Sequence, residues 1–302
     1  MPSRPIRAAL LGLLVGVLAA CSAAPDVPAG ESDGRVIRFA AYDFSENQIL
    51  VAVYAEGARR AGLPVTVESG VATREVLEPA LEQGSVDAVV DYLGTAEAFV
   101  RRGAPSAGRA PEELHDALRQ TLAPRGVSVL ASAAAEDQNG FAVSTAFAAA
   151  HGVATVSDLA PLAGGLTFGG PPECRQRPLC LPGLRDTYGL RFGQVQSMPS
   201  RAATVEALVA GDIDVGLLET TDARLGSAPV RLLADDRALQ PHENVVPLVR
   251  AAVLGRWGDR LRTALDAVTA RLTTDVLVGL NRAVEIDGLT PAQAAARWWD
   301  RQ

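Results

Sequence analysis

From Val36 onward the chain alternates between two hydrophobic rhythms. Val36 to Phe44 (VIRFAAYDF) is dense enough in apolar residues for a buried strand. Asn47 to Gly62 (NQILVAVYAEGARRAG) spaces them at helical intervals until Gly62 closes the run. Pro64 to Gly70 (PVTVESG) reads as a second strand, Thr73 to Gly84 (TREVLEPALEQG) as a second helix, and Val86 to Tyr92 (VDAVVDY) as a third strand. Strand–helix–strand–helix–strand predicts right-handed βαβ units on a mainly parallel sheet flanked by helices. Near the other end, one helix begins around Thr273 and another has Thr290 at its cap and Pro291 at its first position. Both are expected to pack on the first lobe.

Two distant segments share one pattern. ALEQGSVDAVVDYLGT (80–95) and ALVAGDIDVGLLETTD (207–222) each end a helix at a glycine, Gly84 or Gly211, then open an apolar strand with Val-Asp or Ile-Asp. The simplest account is two similar α/β lobes. Ligands of open α/β sheets bind beyond the carboxyl ends of the strands, where Tyr92 stands in one copy and Glu219 in the other. LASAAAEDQNGFAV (130–143) reads as the crossing into the second lobe and TTDARLGSAPVRLLADD (220–236) as the return. The expected division is lobe I from 35–136 and 223–302 and lobe II from 137–222, with hinges at Asp137 to Asn139 and Thr221 to Asp222.

The first residues change the compartment. Arg4 and Arg7 precede an uncharged apolar run from Ala8 to Ala20, too short to span a bilayer and built like a secretory leader. Its end, Leu18-Ala19-Ala20-Cys21, resembles the lipobox of bacterial lipoproteins. The resemblance implies a signal peptide over 1–20, lipidation of Cys21, and export to the outer face of the cell membrane, which the chain would touch only through that anchor. Residues 21–34, rich in small and polar residues with Pro and Gly, read as a flexible tether. Cys174 and Cys180 remain; outside the cytoplasm an isolated pair is usually a disulfide. His115, His151 and His242 are scattered without ligand spacing, so no metal site is expected. The formal net charge of −7, with no basic run, argues against a nucleic-acid partner.

DFSENQIL (43–50), the run from Val67 to Ala96, GGPPECRQRPLCLPGLRDTYGL (169–190) and LQPHENVVPLVR (239–250) together resemble the substrate-binding proteins of osmoprotectant ABC importers. The resemblance implies a two-lobed type II periplasmic-binding fold with two hinge crossings, acting as a monomer without catalysis or cofactor. It would deliver a small solute of the glycine betaine, choline or carnitine class to a permease and its ATPase subunit. Family members hold a quaternary ammonium against aromatic faces, which attract a cation that cannot donate hydrogen bonds. Carried over by position, the resemblance assigns ligand contact to Tyr92 and Thr95 in the motif at 91–95 and to Asn139 at the hinge. It assigns Glu219 where the family often has an aromatic, Tyr42 where it often has a lysine, and Arg177 as the second-lobe arginine, with Arg175 competing. Phe44 is a further candidate ring, more readily read as core than as a ligand contact. Trp298 and Trp299 read as packing.

Other functions find less support. The chain lacks a nucleophile elbow, a P-loop, a GxGxxG after a strand and a His-Glu-x-x-His helix. The departures from a full tyrosine cage leave open a modified betaine, an ergothioneine-like or a polyphenol-like solute, and a sensor that binds without transport.

Overall fold

The computed structural model describes residues 35–103 and 108–302. The leader, Cys21 and the tether lie outside them. Two five-stranded sheets organise the described residues. In the first lobe the order is β2 (Val65–Ala72), β1 (Ile37–Tyr42), β3 (Ala88–Tyr92), β10 (Val245–Arg250) and β4 (Val127–Val129). In the second it is β7 (Gln194–Ser197), β6 (Thr167–Gly170), β8 (Val215–Glu219), β5 (Asn139–Ser144) and β9 (Val230–Leu232). The topology is the same in both: β1 and β6 each pair in parallel with both neighbours, while β10 and β5 run antiparallel to both of theirs.

Each sheet is covered on both faces, as strands with near-continuous apolar runs require. On one face of the first sheet pack α1 (Ser45–Arg60), α8 (Ala251–Thr269, broken at Gly258), α9 (Thr274–Glu285) and α10 (Pro291–Trp299). On the other lie α2 (Arg74–Gln83), α3 (Leu93–Arg101) and α4 (Pro111–Leu122). α5 (Thr145–His151) and α6 (Leu181–Tyr188) pack on one side of the second sheet and α7 (Arg201–Ala210) on the other. No helix among the described residues is long and apolar enough to cross a membrane. Trp299 packs on Gly57 and donates its Nε1 hydrogen to the Val53 carbonyl at 3.1 Å, so both terminal helices belong to the first lobe.

The repeated sequence pattern has a physical reason. Gly84 and Gly211 cap α2 and α7 in the left-handed conformation, with φ of 84° and 79°, which a side chain would strain. The aspartate three residues later then caps the neighbouring strand. Asp87 accepts from the Arg38 amide at 3.0 Å and Asp214 from the Thr167 amide at 2.8 Å. Each satisfies a donor at the start of the strand beside it, the second amide of β1 and the first of β6. Asp87 is also paired with Arg38 and Arg250.

The lobe boundary differs from the sequence expectation in one respect. The chain does not return at 222: β9 adds to the second sheet beside β5, and Leu233 and Leu239 belong to the second lobe's core. Three residues (VRL) are too few to announce a strand in sequence. The crossings are 136–139 and 240–244, joined by an antiparallel bridge between Glu136 and Asn244 and by the Asp137 amide donating to the Glu243 carbonyl at 3.2 Å. Thr221 and Asp222 follow the end of β8, beside the first crossing, where the Thr220 amide donates to the Gln138 carbonyl at 2.8 Å.

Cys174 and Cys180 form a disulfide between the turn after β6 and the start of α6, with Cα atoms 5.3 Å apart and both residues buried. So short a ring removes about 2 kcal/mol of chain entropy from the unfolded state. Replacing both cysteines by serine is expected to lower the unfolding free energy by about that amount, read from the denaturant midpoint. An unchanged midpoint would show that the ring does not restrain the unfolded chain.

Candidate functional site

A cleft of about 880 Å³ lies where the carboxyl ends of β1, β3 and β8 meet the two crossings. That is the position the doubly wound topology provides for a ligand. Phe44, Tyr92, Thr95, Asn139, Arg177 and Glu219 all line it. Tyr42 does not.

The first-lobe wall is built on a buried carboxylate. Asp91, next to last in β3, accepts from Tyr42 Oη (2.6 Å), Arg74 Nε (2.9 Å), Arg74 Nη2 (2.6 Å) and the Tyr92 amide (2.7 Å). Arg74 also lies 5.5 Å over the Tyr42 ring. Tyr42 is therefore a buried post that orients Asp91, not the ligand-facing ring expected from its position, because its hydroxyl is committed to Asp91 and its ring is buried away from the cleft lining. Phe44 stacks between its two neighbours, with its centroid 6.0 Å from Tyr42 and 6.1 Å from Tyr92. It is 42% exposed and lines the cleft, so it is not core.

Tyr92 is buried, and its hydroxyl donates to Glu46 Oε1 at 2.6 Å. Thr95, in the first turn of α3, has its hydroxyl between Arg74 Nη2 (3.0 Å) and Glu243 Oε2 (3.3 Å). Its amide donates to the same Glu243 oxygen at 3.0 Å, placing a carboxylate at the helix N-terminus. Gly94 allows this approach: a Cβ there would stand 2.7 Å from the His242 carbonyl oxygen. Burial raises the Glu243 carboxyl to about 7, with Asp91 adding to the rise and the Thr95 amide and Arg74 opposing it.

Second-lobe groups reach the cleft mainly as polar side chains. Asn139 donates to Gln240 Oε1 at 3.1 Å, joining the two crossings. Arg177 stands at the rim, within the disulfide loop, paired with Glu173 at 3.3 Å. Arg175 instead donates to the Val195 carbonyl at 2.7 Å and is not among the lining residues. Glu219 is half-exposed and pairs with Arg201 at 3.1 Å. Phe141, the first aromatic after Asn139, is buried against Phe168 in the second lobe's core. Among the described residues, both ring faces lining the cleft come from the first lobe.

Sequence reasoning missed a buried acid of the cleft. Glu46, in the first turn of α1, reads in sequence as an ordinary acid at a helix start. It is instead buried, accepting from Tyr92 at 2.6 Å and from Asn281 Nδ2 at 2.6 Å. Burial pushes its carboxyl up, against hydrogen bonds from Thr221, Tyr92 and Asn281. Asp137, on the first crossing, is also pushed up, by burial and by the charges of Glu46 and Glu219. Arg74, Arg201, Glu243 and Asn281 were likewise invisible to local patterns; only the aspartate inside the apolar VDAVVDY offered a signal. No group of three or more His, Cys, Asp or Glu side chains among the described residues has the arrangement of a metal site.

The comparisons agree with this architecture. The family described as the substrate-binding domain of ABC-type glycine betaine transport systems matches residues 35–301. A glycine-betaine-binding protein of Pseudomonas aeruginosa is 29% identical over 286 residues, covering 89% of this chain and 88% of that protein. The glycine betaine-binding protein YehZ of Escherichia coli is 23% identical over 245 residues, 78% of this chain and 80% of its own length. The crystal structure of a glycine betaine/carnitine/choline ABC transporter protein superposes with a TM-score of 0.81 at 22% identity, covering 88% of this chain and 98% of its own; this likeness shows the fold.

A carboxyl that holds its proton better folded than unfolded costs stability as pH rises from 4.5 toward about 7. Glu243→Gln keeps an oxygen acceptor for Thr95 but cannot ionise. The variant is expected to gain about 1–3 kcal/mol over the parent near pH 8, the gain shrinking toward pH 5, in paired denaturant titrations. An equal difference at both pH values would show that Glu243 is not a strained acid.

Proposed function

Since the chain belongs to the family of substrate-binding domains of ABC-type glycine betaine transport systems, we propose that its interlobe cleft captures a small methylated ammonium solute and presents it to an importer permease. The family is one of extracytoplasmic transport components, not of enzymes. The observation that carries the ligand class is the pairing, in one cleft, of the Phe44 and Tyr92 rings with Glu46, Asp137 and Glu219. Rings attract a cation through their quadrupoles and carboxylates through charge, and neither needs the ligand to donate a hydrogen bond. Relatives named for glycine betaine support the same class. Thr95, Asn139 and Arg177 would complete the contacts, with Arg177 the arginine at the second-lobe rim. Hinge closure about 136–139 and 240–244 would bring that rim toward the rings, the common motion of two-lobed binding proteins.

A second reading keeps the importer role with a different cation, such as a modified betaine or an ergothioneine-like solute. It is favoured by the one-sided ring wall: where relatives would place an aromatic, the second lobe offers Glu219. The exported, lipid-anchored location also belongs here. Cys21 would carry the lipid and residues 21–34 the tether, the protein working as a monomer beside its permease and ATPase.

Two measurements bear on these readings. Tyr92→Ala is expected to weaken glycine betaine or choline about tenfold or more in calorimetry, the contribution of one desolvated ring. An unchanged affinity would remove Tyr92 from the site. Cys21→Ala is expected to leave the membrane fraction or accumulate as unprocessed precursor; fractionation identical to the parent would sink the anchor.

A further inference from the structure

The charges lining the cleft are unequally compensated. Arg74 is bound to Asp91, Arg177 to Glu173, Arg201 to Glu219 and Arg224 to Asp222. Each cleft arginine therefore already holds a carboxylate. Glu46 and Asp137 have no arginine partner among the described residues, and their hydrogen bonds come from neutral groups. Tyr92 and Asn281 donate to Glu46, and the Thr221 hydroxyl donates to Asp137 Oδ1 at 2.9 Å.

These groups form one cluster that ties four parts of the chain together. Glu46 starts α1, Asp137 lies on the first crossing, Thr221 follows β8, and Asn281 is on α9. Asn281 Nδ2 donates both to Glu46 Oε2 and to the Thr221 carbonyl, at 2.6 and 2.9 Å. Asp137 is joined to Glu46 through Thr221, whose hydroxyl donates to Asp137 and whose carbonyl accepts from Asn281, the donor to Glu46. The same corner leaves Asn281 Oδ1, on a residue only 4% exposed, with no donor. Two carboxyls without a cation stand beside a buried acceptor without a donor, and both acids line the cleft.

We propose that Glu46 and Asp137 are the cation-recognising pair of this cleft, sharing one proton when it is empty and releasing that proton to solvent as a cationic solute enters. The proposal rests on the reading above, and it names what sets specificity within it. Two neighbouring carboxyls, Glu46 buried and Asp137 half-buried, resist ionising together without a counter-charge; an entering cation supplies one and lets the second ionise. A solute with net positive charge gains from both carboxylates. A zwitterion of the betaine type brings its own carboxylate into the same cleft and gains less. The other charged groups facing the pair are Glu219 with its Arg201, Asp222 with its Arg224, Glu285 on α9, and Glu243 beside Arg74. Both carboxyls of the pair are held above the usual carboxylate range, by burial first and by nearby negative charge second. The sign follows: a cation binds the ionised pair, so affinity rises with pH through the raised range and levels off above it.

Calorimetric titration of the full chain with choline, in phosphate and in Tris near neutral pH, reads the released proton from the difference in heats. About one proton per choline is expected, with choline binding at least tenfold tighter near pH 8 than near pH 5.5. Asp137→Asn and Glu46→Gln, each checked for a folded melting transition, should bind choline with buffer-independent heat and lose most of that pH dependence. Wild-type choline heats equal in the two buffers, with affinity flat in pH, would overturn the proposal. So would binding of glycine betaine without binding of choline, which leaves the importer reading standing. Failure of both solutes to bind at any pH would instead overturn the methylated-cation reading itself, and the pair's role with it.

Discussion

The first-lobe wall of the cleft hangs on the carboxylate of Asp91. It is buried at the end of an apolar strand, where an unpaired charge would cost several kcal/mol. Four hydrogen bonds from Tyr42, Arg74 and the Tyr92 amide compensate it. Those same bonds tie β1, α2 and β3 together at their ligand-facing ends. Through them Tyr42 backs Phe44, Arg74 reaches Thr95, and Thr95 meets Glu243 on the second crossing. The position of the rings is thus a result of satisfying one buried anion.

Much of this was legible in the sequence, for local reasons. The βαβ order, the two-lobed fold and the internal repeat follow from hydrophobic rhythm and from glycines that end helices. The Val-Asp and Ile-Asp pairs mark a recurring bond in which an amide at the start of the neighbouring strand donates to the aspartate, so the repeat was structural as well as visual. What escaped was decided at long range. β9 is three residues long and is a strand only because β5 offers it a free edge, which moved the second crossing from 222 to 240–244. Tyr42 looked like a ligand ring until its hydroxyl was seen to serve Asp91. Glu46 looked like a helix-start acid until α9, more than two hundred residues on, was found against it.

Charge in the cleft is arranged as a set of closed pairs around an open one. The arginines contribute no free positive charge to a solute, since each already faces a carboxylate. This separates the site from one built to grip an anion, where an unpaired guanidinium would be expected. Partly exposed pairs at the rim, such as Arg177 with Glu173, are weakly held and can exchange partners. The deeper groups cannot do so without leaving a buried charge alone.

The placement of β10 between β3 and β4 also fixes the order in which the molecule can be assembled. Among the described residues β4 borders no strand but β10, so it has no place in its sheet until residues 245–250 have been made. α1 likewise has an uncovered flank until Trp299 arrives against Gly57 and Val53. The second lobe, from 139 to 239, is one continuous stretch and closes on contacts much nearer in sequence, which form faster. A chain emerging from the ribosome or a translocation channel can therefore complete its second lobe first. It must hold the first lobe's amino-terminal half open, with apolar surface exposed, until the last helix is delivered.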